Sequence, residues 1–250
     1  MQLYFIRHGQ SSNNAGWGDP NYKESPDPIL TDIGIQQAQV LSEYLEKNQP
    51  ITEHKNWDPN SVYGFGITQI YASLMERACH TASYIARRLP QIPFAAWEEI
   101  HESGGIFGRD GELKLKGLPG KTQSWFGSNF PELILPANLD ETGWWHERPQ
   151  ETEDECQLRS QRVWAELLAR HGDVDGQPEQ RVAFISHGGF FTHLMCAILG
   201  LPYRQASNGL NSWFLLSNCS ISRIAVYKNE VTVCYINRTD HLPGDLITGQ

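Results

Sequence analysis

Arg7 and His8 stand side by side directly after a short apolar run, and Gly9-Gln10 follow them. An imidazole is a competent nucleophile, and a guanidinium beside it can hold a phosphate through paired N–H donors. Gly9 then permits close backbone approach to a ligand. Ser186-His187-Gly188-Gly189 repeats the arrangement after a second apolar run, and a helix behind it would aim its first amides at an anion. Arg77 falls just past a further expected strand, at the start of a helix, and supplies a second planar fork. Each of these residues alone has an ordinary structural reading, as a turn histidine or as an arginine on a helix surface. Two histidines at two strand ends, with two arginines, point together to a bound anion.

The elements that must position these groups can be read from the apolar pattern. Leu3 to Ile6 reads as a buried strand that delivers Arg7-His8-Gly9 to a loop. Polar loop material runs from Gln10 to about Pro28. Thr31 then caps a helix that carries Ile35, Ala38, Leu41 and Leu45 and ends near Lys47. Residues 50–66 suggest an inserted loop. Ile70 to Ala72 forms the next predicted strand, closed by Ser73, and a helix follows from Glu76 to Leu89, stopping at Pro90. Pro93 to Trp97 suggests a third strand, leading to a loop with Glu98, Glu99, His101 and Glu102.

Residues 104–149 are the least regular stretch. Their aromatic residues, among them Trp125, Phe126, Trp144 and Trp145, imply a packed lid or insertion and not a free loop. Those aromatics either form the insertion's own small core or line an apolar or sugar-accepting wall. Lys114, Lys116 and Lys121 add local positive charge, solvated or holding a second phosphate. Acidic residues Glu151 to Glu155 precede a helix expected from about Cys156 to His171, as a helix N-terminus favours. Arg181 to Ile185 reads as a strand, Gly188-Gly189 as a tight turn, and Phe190 to Leu199 as a helix ended by Gly200. Ser220 to Tyr227 and Val231 to Ile236 read as an antiparallel hairpin. Strands alternating with helices predict a three-layer α/β/α sandwich with a mostly parallel central sheet, built as one domain over residues 1–250 with insertions at about 50–66 and 104–149 forming a lid. Ligands in such sheets bind beyond the carboxyl ends of the strands, where the three candidate loops fall.

Composition narrows the function classes. A chain of 250 residues with 40% hydrophobic content holds enough apolar material for one large core. Its net charge of -9 argues against general affinity for nucleic acid or anionic membrane. The 5 cysteines show no C-x-x-C pair and read as buried free thiols, which suits a reducing compartment. No signal peptide or membrane-length apolar run is visible, so a cytoplasmic location is expected, and the glycosylation patterns at Asn218 and Asn237 are read as incidental. The absence of H-E-x-x-H, of a P-loop and of a G-x-S-x-G elbow leaves zinc hydrolase, nucleotide kinase and serine hydrolase readings without support, and neither a metal nor another cofactor is expected.

The set of motifs resembles the histidine phosphatase superfamily, in its phosphoglycerate-mutase-like branch. The matching residues are Leu3 through Gln10 with Asn14, then Leu30-Thr31 with Gly34, Gln37 and Ala38. Ala72-Ser73-Leu74 with Arg77 and Thr81-Ala82 come next, followed by Glu102, Phe184 through Gly189, and Asn218 to Ile221. The resemblance implies that His8 is phosphorylated, that Arg7, Arg77 and His187 bind phosphoryl oxygens beside Gly188, that Asn14 helps position the group, and that Glu102 is the proton donor, with Glu99 in reserve. Two guanidinium groups and an imidazole can stabilise a phosphoryl group in transfer without a metal. A carboxyl group held near that dianion stays protonated and can serve the leaving alcohol.

The activity implied is hydrolysis of a small phosphomonoester, with self-association left open. A phosphomutase shares all these residues, but His101-Glu102-Ser103-Gly104-Gly105 lacks the Arg and Tyr expected after the acid in glycolytic mutases, which favours hydrolysis. A regulatory protein that binds phosphate without turnover is the alternative from another class.

Overall fold

Leu3, Tyr4, Phe5 and Ile6 are all fully buried, as a strand covered on both faces requires. The computed structural model describes residues 1–49, 58–109, 114–203, 213–228 and 230–249. The first strand, β1 (Gln2–Arg7), lies inside a six-stranded sheet that also contains β2 (Gln69–Ala72), β3 (Phe94–Ala96), β6 (Arg181–Ser186), β7 (Ile221–Tyr227) and β8 (Glu230–Arg238). Their order is β3-β2-β6-β1-β7-β8. The first four neighbours run parallel, whereas β7 pairs antiparallel with β1, and β8 antiparallel with β7.

Side-chain alternation separates two cores. Tyr4, Ile6, Ile70, Ala72, Ala183 and Ile185 face α2 (Asp32–Lys47) and α3 (Glu76–Arg88), which contribute Leu41, Leu45, Ala78, Ala82 and Ile85. Leu3, Phe5, Tyr71, Val182 and Phe184 face α5 (Glu153–His171) and α6 (Gly188–Leu199), with Val163, Leu167, Phe190, Phe191 and Leu194. The fold is therefore the expected mixed α/β sandwich with a mostly parallel sheet between helices.

Several boundaries differ from the sequence reading, each for a local reason. Ser12–Ala15 forms a one-turn helix, α1, inside the stretch read as loop, because Ser11 and Asn14 make a reciprocal capping box. A second capping box, Thr152 with Glu155, starts α5 at Glu153, ahead of the expected Cys156. Gly188 and Gly189 are the first residues of α6 and not a turn before it. Gly200 does end α6, in the left-handed conformation with φ 65.

Of the two insertions, residues 50–57 of the first and 110–113 of the second lie outside the described residues. The rest of the second contains a hairpin, β4 (Phe107–Arg109) with β5 (Leu115–Gly117), and a short helix, α4 (Gln123–Asn129). Phe126, Phe130, Trp144 and Trp145 are buried and continuous with the α2/α3 core, so these aromatics pack the insertion onto the body of the fold. Lys121 bonds Glu76 at 3.0 Å and lies over the ring of Trp125. Four of the cysteines are buried free thiols, and Cys234 is partly exposed. Asn218 is fully buried, out of reach of a glycosyl donor. Among the described residues no helix is long and apolar enough to cross a membrane.

Candidate active site

The register of β1 on β6 pairs Arg7 with Ser186, so His8 and His187 follow directly from the ends of adjacent parallel strands. The amide of His8 bonds the Ser186 carbonyl at 3.0 Å and continues the ladder one residue further. The two imidazole rings then lie with centroids 5.1 Å apart and planes inclined by 58°. β2 ends beside β6 on its other side, and the short segment after it leads to α3, whose second residue is Arg77. Three separate parts of the chain thus meet at one end of the sheet.

His8 is 3% exposed. Its Nδ1 lies 2.7 Å from the Gly9 carbonyl, which only accepts, so the ring proton sits on Nδ1 and Nε2 keeps its lone pair. Arg77 Nε donates to that Nε2 at 3.1 Å. Burial, then the positive charges of Arg77 and Arg7, hold the His8 pKa well below 6.5. Burial and Arg77 lower that of His187 in the same way. His187 Nε2 is 2.9 Å from the Ser73 hydroxyl.

The guanidinium groups are anchored from behind. Arg7 Nη1 donates to the carbonyls of Leu216 and, at 3.0 Å, Gly249. Burial lowers the pKa of both Arg7 and Arg77, with Glu102 acting against it in each case. Three buried polar atoms converge here without a hydrogen-bond partner: Arg7 Nε, Arg77 Nη1 and His187 Nδ1. Unsatisfied buried donors are uncommon and costly, so their clustering at the strand ends marks a place built for an acceptor-rich group.

Glu102 reaches the same place from the loop after β3. Its carboxylate accepts from the amides of Ser103 at 2.9 Å, Phe190 at 2.8 Å and Gly189 at 3.3 Å. The anion received by the N-terminus of α6 is therefore this carboxylate. Gly189 is required by the contact, because a Cβ there would lie 2.5 Å from Glu102 Oε1. Glu99 is turned away, pairing with Arg162 at the surface at 3.2 Å.

Asn14 is drawn in indirectly. Its Oδ1 accepts from Ser11 and, at 3.2 Å, from Asn218 Nδ2, which also donates to the His8 carbonyl at 3.0 Å. Gly9 has a use beyond the one expected: a Cβ on it would lie 2.5 Å from the Gly34 carbonyl oxygen, so it permits close packing against α2. Sequence reasoning assigned no role to Asn218, Thr81, Ser73 or Arg159. Thr81 Oγ1 accepts the Gly9 amide at 3.0 Å. Arg159 is 2% exposed, pairs with Glu151 at 2.7 Å, and donates to the carbonyls of Glu99 and His101, which fixes the loop bearing Glu102. An arginine on the face of α5 that also carries Cys156, Ser160 and Val163 was the available signal for it.

Residues 3–54 and 59–239 match the family model of the histidine phosphatase superfamily (branch 1). The chain belongs to that superfamily. Among curated relatives, glucosyl-3-phosphoglycerate phosphatase of Mycobacterium tuberculosis is 26% identical over 222 residues, covering 86% of this chain and 85% of the relative. Phosphoglycerate mutase-like protein 4 of Arabidopsis thaliana is 24% identical over 195 residues, covering 77% and 69%. Among solved structures, the α-ribazole phosphatase of Shigella flexneri superposes with a TM-score of 0.58 at 20% identity, covering 95% of this chain and 96% of its own. The complex of the mycobacterial glucosyl-3-phosphoglycerate phosphatase with VO3 gives 0.56 at 21%, covering 95% and 99%. This histidine phosphatase thus shares its fold with phosphatases of small phosphorylated metabolites.

Proposed function

We propose that this protein hydrolyses a small phosphomonoester through a phosphohistidine at His8. The observation that carries the reading is the cluster of partnerless buried donors on Arg7, Arg77 and His187 beside an imidazole whose Nε2 lone pair is free of a proton. A phosphoryl dianion supplies acceptors to all three donors and places phosphorus in front of Nε2.

Arg77 Nε would leave His8 for a phosphoryl oxygen as the substrate enters, releasing the lone pair for in-line attack. Ser73 Oγ already accepts the Met75 amide at 3.2 Å, so its hydrogen can go to His187 Nε2 and leave a proton on Nδ1 as donor. The incoming dianion competes with Glu102 for the amides of α6, which turns that carboxyl group toward the departing alcohol as its proton donor. The same carboxylate then takes the proton of the water that cleaves the N–P bond. Asn14 helps hold the cup through Asn218 and the His8 carbonyl, with Gly188 leaving space beside Arg7.

Trapping of a phosphohistidine from a labelled phosphomonoester, with its loss in His8→Ala, tests the reading. Unchanged hydrolysis by His8→Ala overturns it. Incubation with 3-phosphoglycerate and a trace of 2,3-bisphosphoglycerate separates the phosphomutase alternative, because a mutase would form isomer faster than free phosphate.

A further inference from the structure

Asp27 lies on the loop between α1 and α2, against the start of α3. Its Oδ1 accepts the Glu76 amide at 3.1 Å. Met75, the N-cap of α3, offers no side-chain acceptor, so Asp27 caps that helix from another part of the chain. One carboxylate oxygen is explained in this way. The other, Oδ2, is buried with no partner.

The nearest guanidinium nitrogen is Arg77 Nη1, 3.8 Å from Oδ1 and itself without a partner. That separation is beyond a direct hydrogen bond. A carboxylate with one oxygen unpaired and a guanidinium nitrogen without a partner are thus neighbours that do not satisfy one another, and each unpaired atom costs free energy. A hydroxyl would complement both, because one oxygen both donates and accepts. A second phosphoryl group does not fit, since it brings only acceptors to an acidic side chain.

The surroundings agree with a place for the leaving group. Pro26 lies against the β4–β5 hairpin, 3.8 Å from where a Cβ on Gly108 would stand, so the insertion roofs this loop. Lys121, the nearby cation from the insertion, is held by Glu76. Burial lifts the Asp27 pKa to about 6 against the opposing pull of Arg77, the Glu76 amide and Lys121, with the Glu76 charge adding to the rise.

We propose that Asp27, together with Arg77 Nη1, recognises a hydroxyl carried close to the phosphoester on the leaving group, so that the enzyme selects polyol phosphates over simple alkyl phosphates. This rests on the hydrolase reading. Arg77 Nη1 carries two hydrogens, one for the phosphoryl oxygen and one for this hydroxyl, so the hydroxyl belongs on the carbon next to the ester carbon.

The test compares glycerol 1-phosphate with n-propyl phosphate, which share a three-carbon chain. Wild-type kcat/KM should favour the glycerol ester by on the order of ten- to a hundredfold, the size of a hydrogen bond to a charged partner. Asp27→Asn keeps an oxygen for the Glu76 amide and puts N–H where Oδ2 stood, and its ratio should fall to about one. Any loss from disturbing α3 acts on both esters and cancels in the ratio. Equal wild-type rates for the two esters, or an unchanged ratio in Asp27→Asn, overturn the proposal and leave the hydrolase reading standing. Hydrolysis of neither ester, with no phosphohistidine trapped, overturns both.

Discussion

Arg77 Nε donates to His8 Nε2 at 3.1 Å, so the group proposed to bind phosphate also holds the lone pair proposed to attack it. Burial keeps the imidazole neutral, and the contact adds to that and holds the ring in place until an anion displaces the guanidinium. Arg77→Met should remove that charge while keeping most of the volume. The acid limb of the kcat/KM profile, expected well below pH 6.5 in the wild type, should then move upward toward 6.5, with kcat/KM also lower by at least about a hundredfold. A pH-rate profile of both proteins measures this, and an unmoved acid limb would count against the electrostatic role.

Glu102→Gln should lower kcat on alkyl phosphates by about 10²- to 10⁴-fold, the usual scale of general acid-base assistance. Formation of phosphohistidine from an aryl phosphate should be much less affected, because a phenolate leaves without a proton. Rapid-quench measurement of the two half-reactions distinguishes this from a general collapse of the site.

Arg159→Met should destabilise the fold by about 3–5 kcal/mol, since it leaves the Glu151 carboxylate largely buried and unpaired. Urea unfolding reads that loss, and the pair Arg159→Met with Glu151→Gln should recover part of it. Activity should fall in both, because the carbonyls of Glu99 and His101 lose the donor that fixes the Glu102 loop.

His8, His101 and His187 are all buried with pKa held well below 6.5, so the native state binds fewer protons than the unfolded chain once the pH falls below that value. Stability should therefore be full above about pH 6.5 and fall as the medium becomes more acidic, each histidine contributing about 1.4 kcal/mol per pH unit. Asp27 acts in the opposite sense between 3.8 and about 6, where the native carboxyl holds a proton that the unfolded one has lost. Thermal midpoints from pH 7.5 to 5 should fall less steeply in His101→Phe, a variant that retains an aromatic ring against Trp145.

Gly34→Ala should shift the His8–Gln10 loop, since the new methyl would lie 2.1 Å from the Gln10 carbonyl oxygen. A loss of about 1–3 kcal/mol in stability is expected from such overcrowding. Weaker phosphate affinity, measured by competitive inhibition, should accompany it.

The parts of the molecule that were legible in the sequence are those whose cause is local. β1 and β6 are unbroken apolar runs because both faces of each strand are covered, and they carried His8 and His187 to the correct ends. α2 and α3 announced themselves through period and capping. α1 was hidden because four residues hold no periodicity, and its cap arises from side chains that equally serve loops. The insertion was legible only as aromatic bulk: three-residue strands and a seven-residue helix depend on Trp144 and Trp145 finding a distant core. Asn218 bonds the His8 carbonyl across a sequence separation of 210, and no local pattern encodes such a contact. A second demand on Gly9 was missed for a related reason, since its tight neighbour is the backbone of Gly34 on another element.

The hydrogen bond from Arg7 to the Gly249 carbonyl spans a separation of 242. Thr248 strengthens the same closure by donating to Asn218 at 3.0 Å and accepting from Gln37 at 2.8 Å. Arg7 at the end of β1 is therefore backed only by carbonyls more than two hundred residues further along the chain, and its guanidinium gains that support only when both segments have come together. Phosphate capture should then depend on this clasp while the sheet does not, so a chain cut before residue 248 should be recognisable as a folded sheet that does not retain vanadate.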